Sequence, residues 1–131
     1  VSRNVVADHL TLLEEAGLVA QLRDDTVGIR QLGKVDKVYL DNTNIIYALA
    51  PQNANIGNVR ETFFNNQARV VADVVASRQT DFCIGGASFE IGGRKKGNAQ
   101  IEGLQNAYVV KDDIEYGHDN VLPLWWFGLL Y

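Results

Sequence analysis

The stretch DFCIGGASFEIGG, residues 81–93, constrains the fold of this chain more than any other. Gly85 and Gly86 separate two short runs of alternating apolar and polar residues, which is typical of a β-hairpin with a two-residue turn. Such a turn fixes the register, so Asp81 is predicted to lie opposite Glu90. Because side chains alternate along a strand, one face of the hairpin is apolar and packs on the core. Its members are Phe82, Ile84, Ala87, Phe89 and Ile91.

Asp81 and Glu90 are predicted to share the other face of the hairpin. Like charges directly opposite each other destabilise a sheet by about 0.2–1 kcal/mol, so this pair requires water or a cation. One compensation is a hard divalent ion such as Mg²⁺, which binds carboxylate oxygens. The other is a basic side chain that folds back from the following turn, which contains Arg94, Lys95 and Lys96. The residues alone leave both alternatives open.

The sequence from residue 35 onward predicts an α/β domain. Besides the hairpin, strands are predicted at 37–42, 73–77 and 107–113, and helices at 43–50, 55–73 and 97–105, with Asn58 as an N-cap. A mixed sheet flanked by helices is the natural packing of such an order. The apolar end, VLPLWWFGLLY, is predicted to close the core with Trp125, Trp126 and Phe127 buried; an exposed aromatic anchor for a partner is the alternative.

The first 34 residues have a different pattern. Residues 2–16 have helical periodicity, with Ser2 as N-cap and Gly17 at the stop; a strand, a turn and a return strand at 29–34 are predicted to follow. This order outlines the second half of a winged helix, in which the N-terminal residues of the recognition helix contact DNA. Ser2, Arg3 and Asn4 are therefore candidate nucleic-acid contacts. The acidic remainder of the segment equally favours an interdomain connector.

Composition limits the function classes. A net charge of −4 and a pI near 5.0 argue against a surface that binds nucleic acid throughout. The longest apolar stretch is too short to span a membrane and contains Pro123. A single cysteine excludes an internal disulfide framework and fits a reducing cytoplasm. Because the chain begins inside a helical pattern, we expect it to be the C-terminal part of a larger protein.

Residues 81–96 resemble the D-x(n)-E-x-K signature of restriction-endonuclease-like nucleases. The whole chain is similar to the C-terminal region of prokaryotic AAA-type ATPases, which has a winged helix followed by a nuclease-like domain of unknown function. The stretches that carry this resemblance are VSRNVVADHLTLLEEAGLV, KVYLDNTNIIYAL, NVRETFFNNQ, DFCIGGASFEIGGRKKGNAQI and LPLWWFGLLY. The resemblance implies a partial winged helix over residues 1–34 and a restriction-endonuclease-like α/β domain over 35–131.

The resemblance also implies a site. Asp81 and Glu90 match the two acids that bind Mg²⁺, Glu61 matches a preceding acid, and Gln100 matches a polar position after the motif. The position of the lysine that assists the attacking water is occupied by Gly92. The nearest cations come after a second glycine, and Lys95 or Lys96 is the candidate replacement.

Three functions remain open after the sequence. The first, favoured by the missing lysine, is a degenerate nuclease-like domain that recognises nucleic acid or a protein partner. The second is an active Mg²⁺-dependent nuclease that uses Asp81 and Glu90. The third is an interaction module without nucleic-acid contact. The resemblance implies DNA and the N-terminal ATPase domain of the same polypeptide as partners. ATP would bind only in that N-terminal part, because the chain lacks a P-loop sequence.

Overall fold

The computed structural model describes residues 1–25 and 34–131. Its helices are α1 (Arg3–Glu15), α2 (Thr43–Leu49), α3 (Ile56–Ala68) and a terminal 3₁₀ helix (Leu124–Leu129). The strands are β1 (Val19–Arg23), β2 (Val35–Leu40), β3 (Val74–Ala76), β4 (Phe82–Ile84), β5 (Ala87–Gly92), β6 (Ala107–Lys111) and β7 (Val121–Pro123). Among the described residues, no helix is long and apolar enough to cross a membrane.

Helix α1 begins and ends where the sequence predicts. The Ser2 hydroxyl accepts a hydrogen bond from the Val5 amide at 3.4 Å, and Gly17 adopts a φ of 72° just after the helix. Strand β1 then pairs antiparallel with β2, so that Ala20 lies opposite Tyr39. The predicted return strand at 29–34 lies outside the described residues apart from Lys34. The boundary near Val35 remains a prediction.

A five-stranded mixed sheet in the order β3-β4-β5-β6-β7 forms the centre of the protein. β3, β4 and β5 are antiparallel, whereas β5, β6 and β7 run parallel. The hairpin register is confirmed, since Phe82 pairs with Phe89 and Ile84 with Ala87. Gly85 and Gly86 have φ values of 55° and 83°, as a two-residue turn of this kind requires. The α/β fold with a mixed sheet is therefore confirmed.

The main core lies between one face of this sheet, helix α3 and the β1–β2 pair. Phe64 of α3 is fully buried and stacks on Phe82 with 5.0 Å between ring centroids. Phe127 of the 3₁₀ helix closes on Phe64 at 4.6 Å. A smaller cluster around Ile101 and Val109 covers the other face of the sheet. The predicted apolar hairpin face contributes to the main core through buried Phe82 and Ile91 and partly buried Ile84 and Phe89.

Three local predictions were wrong. The N-cap of α3 is Asn55, whose side chain accepts from the Asn58 amide at 3.0 Å; the sequence offers asparagine at both positions, and the helix starts at the first. Residues 98–103 form successive turns instead of a helix. Trp125 and Trp126 are 53% and 41% exposed, because the 3₁₀ helix directs Leu124 and Phe127 inward instead.

Candidate active site

Glu90 is a buried carboxylate with an ammonium partner. It lies on β5 between partly buried Phe89 and buried Ile91, with only 7% of its surface exposed. Because Ile91 faces the main core and strand side chains alternate, Glu90 lies on the opposite face, beside Val109 of β6. The Lys96 ammonium reaches it, with 2.6 Å between Nζ and Oε1. Two predictions agree with this contact: a basic side chain that folds back from the turn to neutralise the acids, and a lysine that replaces the one missing from the motif at position 92.

Gly92 makes that contact sterically feasible. The aliphatic stem of Lys96 lies directly over Gly92, so close that a Cβ added at Gly92 would stand 2.6–2.7 Å from the Cβ, Cγ and Cδ atoms of Lys96. Carbon atoms make favourable contact only at about 3.5–4.0 Å. A side chain at position 92 and the observed path of Lys96 therefore exclude each other. The lysine that follows the glycines occupies the space that a motif lysine would need.

Asp81 is held at the edge of the hairpin by the sheet itself. Its amide donates to the Phe89 carbonyl at 3.1 Å, just before β4 begins. One oxygen of its carboxylate accepts from the Ile91 amide at 2.8 Å, in the place of the missing backbone partner. The other oxygen lies 3.9 Å from the ammonium of Lys37. One oxygen of Asp81 therefore binds the strand backbone, and the other faces the Lys37 ammonium.

Glu61 lies on helix α3, and the charges of both hairpin acids act on it. The Tyr39 hydroxyl donates to its carboxylate at 2.7 Å. Burial raises the pKa of Glu61, Asp81 and Glu90 raise it further, and the Tyr39 hydrogen bond and Lys37 oppose this change. Burial, with Glu61 beside it, raises the pKa of Tyr39 far above its ordinary value, so Tyr39 stays protonated and donates at neutral pH. The negative charges of Asp81 and Glu90 therefore both disfavour the ionised form of Glu61.

The charges of this cluster leave a negative excess. Among the described residues, its members are three carboxylates, those of Glu61, Asp81 and Glu90, and two ammonium groups, those of Lys37 and Lys96. Lys37 faces Asp81, Lys96 contacts Glu90, and the charges of Asp81 and Glu90 act on Glu61. A hard cation suits such an excess, and Mg²⁺ commonly takes one or two carboxylates and several waters. In residues 1–25 and 34–131, no three His, Cys, Asp or Glu side chains are grouped as a metal site. Asp81 and Glu90 are the two carboxylates that would hold such a cation, with water as the remaining ligands.

The other sequence candidates are all exposed. Lys95 is exposed in the turn after β5, whereas its neighbour Lys96 is half-buried. Gln100 is exposed in the turns that follow. At the N-terminus, Ser2, Arg3 and Asn4 are all exposed, and Ser2 serves as the helix cap.

Lys37 and Tyr39 are the members of the cluster that the sequence reasoning missed. Both belong to β2, and alternation places them on one face of that strand. The stretch KVYLDN showed this alternation. It gave no indication that β2 would lie beside the hairpin acids, because that neighbourhood depends on the packing of Tyr39 against Phe82, whose rings are 5.6 Å apart.

Comparison with known proteins gave no match: no family model fits the chain, and no curated protein and no solved structure is significantly similar to it.

Proposed function

We propose that the protein is a metal-dependent phosphodiesterase acting on nucleic acid, with Asp81 and Glu90 as the metal ligands and Lys96 as the lysine of the site. The observation that carries this proposal is the combination of an ammonium 2.6 Å from Glu90 with two further carboxylates, Asp81 and Glu61, that this one ion pair does not compensate. The degenerate alternative rested on the absence of a lysine at position 92. Since Lys96 supplies an ammonium beside the second acid, that reason for expecting a dead site loses its force.

Each residue has a distinct task in this proposal. Asp81 and Glu90 would hold a divalent cation, which would supply positive charge for the phosphate and acidify water. Lys96 donates hydrogen bonds beside Glu90 and orients the water or a phosphate oxygen there. Glu61 accepts a proton more readily than an ordinary carboxylate because its pKa is raised. Tyr39 fixes the orientation of Glu61 through its hydroxyl.

Cleavage assays with point variants test this proposal. Labelled single-stranded and double-stranded DNA and RNA are incubated with the protein and Mg²⁺ or Mn²⁺. We expect wild-type cleavage, a loss of at least about 100-fold in Asp81→Asn and Lys96→Gln, and retained cleavage in Lys95→Gln. Asparagine is chosen because its amide oxygen can still accept from the Ile91 amide, which preserves the strand edge.

Two results separate the alternatives. If the wild type neither cleaves nor binds a divalent cation in calorimetric titration, the nuclease proposal is wrong and nucleic-acid or partner recognition by a degenerate site replaces it. If Lys95→Gln loses cleavage and Lys96→Gln does not, the lysine has been assigned to the wrong residue. The exposed Lys95 is a matched control, since both variants remove one charge from the same turn.

A second candidate, an interaction module without nucleic-acid contact, is favoured by helix α1. No residue of α1 is buried, and its apolar residues Val5, Val6, Leu12 and Leu13 are 39–60% exposed. Contiguous exposed apolar surface often marks a protein contact. The resemblance suggests the ATPase domain of the same polypeptide as the partner. Leu12→Glu should abolish association with that domain in sedimentation experiments, and unchanged association would remove this candidate.

A further inference from the structure

The two lysines of the site are held in different ways. Lys96 is three-quarters buried, packs over Gly92 and contacts Glu90 at 2.6 Å. The Lys37 side chain is 44% exposed, and its ammonium lies 3.9 Å from Asp81. At that distance and exposure an ion pair contributes little, about 0–1 kcal/mol. Lys96 is therefore a fixed part of the site, and Lys37 can leave Asp81 at small cost.

A divalent cation and Lys37 would compete for the same carboxylate oxygen. The other oxygen of Asp81 is engaged by the Ile91 amide at 2.8 Å, so the oxygen that faces Lys37 is the one open to a metal. A doubly charged ion at that oxygen repels an ammonium nearby. Binding of a metal at this oxygen would therefore displace Lys37 from Asp81.

The displaced lysine remains close to the reaction centre. Lys37 and Tyr39 lie on the same face of β2, and Tyr39 is anchored by its contacts with Glu61 and Phe82. Besides Asp81, the charged groups that act on this region are Glu61, which Lys37 influences electrostatically, and Asp36 next to it on the strand. An ammonium on a flexible four-carbon stem suits contact with a phosphate oxygen.

We infer that Lys37 is an exchangeable counter-ion of Asp81, which a divalent cation releases to bind a backbone phosphate of a polynucleotide. This inference rests on the proposed function. It specifies the substrate as a polynucleotide that has a second backbone phosphate next to the scissile phosphate. Cation and polynucleotide binding are then positively coupled, because the cation frees the lysine that the polynucleotide needs. Such coupling is reciprocal.

The variant Lys37→Gln tests the inference in two opposite directions. Titration calorimetry with Mn²⁺ alone should show cation binding about three- to tenfold tighter than in the wild type, because a competing positive charge is gone. Binding of an uncleaved DNA in Ca²⁺ should become weaker, and its salt dependence should fall by about one unit of slope, as expected for the loss of one phosphate contact. A purely structural lysine would not produce this pair of changes.

The controls keep the result interpretable. Lys37→Arg retains the charge and should restore wild-type cation affinity, and Lys34→Gln removes an equal charge from an exposed position just before β2. If the wild type binds Mn²⁺ but Lys37→Gln binds it no more tightly, the Lys37 inference fails and the proposed function stands. If the wild type binds no divalent cation, both fail. Unchanged DNA affinity and salt slope in Lys37→Gln would exclude the phosphate contact.

Discussion

Replacing Gly92 by alanine should displace Lys96 from the site without removing any charged group. The added Cβ would lie 2.6–2.7 Å from three carbon atoms of the Lys96 side chain. Those atoms belong to the base of the side chain, so a small movement of its tip cannot relieve the overlap. Gly92 is not among the glycines with positive φ, and alanine can therefore adopt its backbone conformation. The substitution therefore acts by steric overlap with the Lys96 side chain.

The magnitude follows from the burial of Glu90. Removing one partner of a fully buried ion pair costs about 3–5 kcal/mol, because the remaining charge lacks compensation. Glu90 is 7% exposed, but Lys96 is a quarter exposed and water can reach the vacated space. We therefore expect a loss of about 2 kcal/mol in the free energy of unfolding at pH 7. For a protein of this size that corresponds to a fall in Tm of about 8 °C.

Urea and thermal unfolding measure this loss, and two comparisons identify its cause. Gly97→Ala is the matched control, since a Cβ at Gly97 meets nothing within 4 Å. In a Lys96→Ala background the overlap at Gly92 disappears, so Gly92→Ala should then cost only a few tenths of a kcal/mol. The reasoning would be refuted if Gly92→Ala were as stable as Gly97→Ala, or if its cost were the same in both backgrounds.

The remaining predictions concern the lysine, the pKa of Glu61 and the core. The double substitution Gly92→Lys with Lys96→Ala moves the ammonium back to position 92 and should retain nucleic-acid cleavage above the level of Lys96→Ala alone; equal rates would contradict a shared role. Tyr39→Phe removes a hydrogen bond that favours ionised Glu61, so the pKa of Glu61 should rise further in a ¹³C side-chain titration, and the acid limb of any cleavage profile should move to higher pH. A pKa that stays or falls would be inconsistent with this. Because the folded-state pKa of Glu61 is raised, ionisation of Glu61 destabilises the fold. The stability contributed by protonated Glu61 is fully present below the ordinary pKa of 4.5 and is lost as pH rises through the raised pKa. Glu61→Gln should therefore reduce the pH dependence of the free energy of unfolding in this range. Phe64→Ala empties the centre of the core and should cost about 3–5 kcal/mol in urea unfolding, and a loss below about 1 kcal/mol would place the core elsewhere.

The hairpin was predictable because its information is local. Gly85 and Gly86 determine the turn, the turn determines the register, and alternation determines which residues are buried. The same reasoning located α1 from its cap and its stop. The turns at 98–103 were mistaken for a helix because a short polar stretch with modest periodicity does not distinguish the two.

The cluster around Asp81 was only half predictable. The pairing of β4 with β5 could be predicted by strand arithmetic, but the cations beside Asp81 and Glu90 could not. The sequence offered three basic residues in one turn, and only packing against Gly92 shows that Lys96 is the one that returns to Glu90. Lys37 and Tyr39 come from a distant part of the sequence, and their contribution depends on how β2 packs beside the hairpin. Trp125 and Trp126 illustrate the same limit, since their apolar neighbours could not tell which side of a 3₁₀ helix would face inward.

Because the Ile91 amide binds the Asp81 carboxylate, the position of that carboxylate depends on the strand register that the glycine turn determines. A slip of one residue in the pairing of β4 with β5 would exchange the two faces of the hairpin and present a different amide at this edge. The two-residue turn resists such a slip, so the far end of the hairpin sets where the carboxylate stands. Lengthening the turn by one residue would therefore misplace Asp81 even though every residue of the site was unchanged.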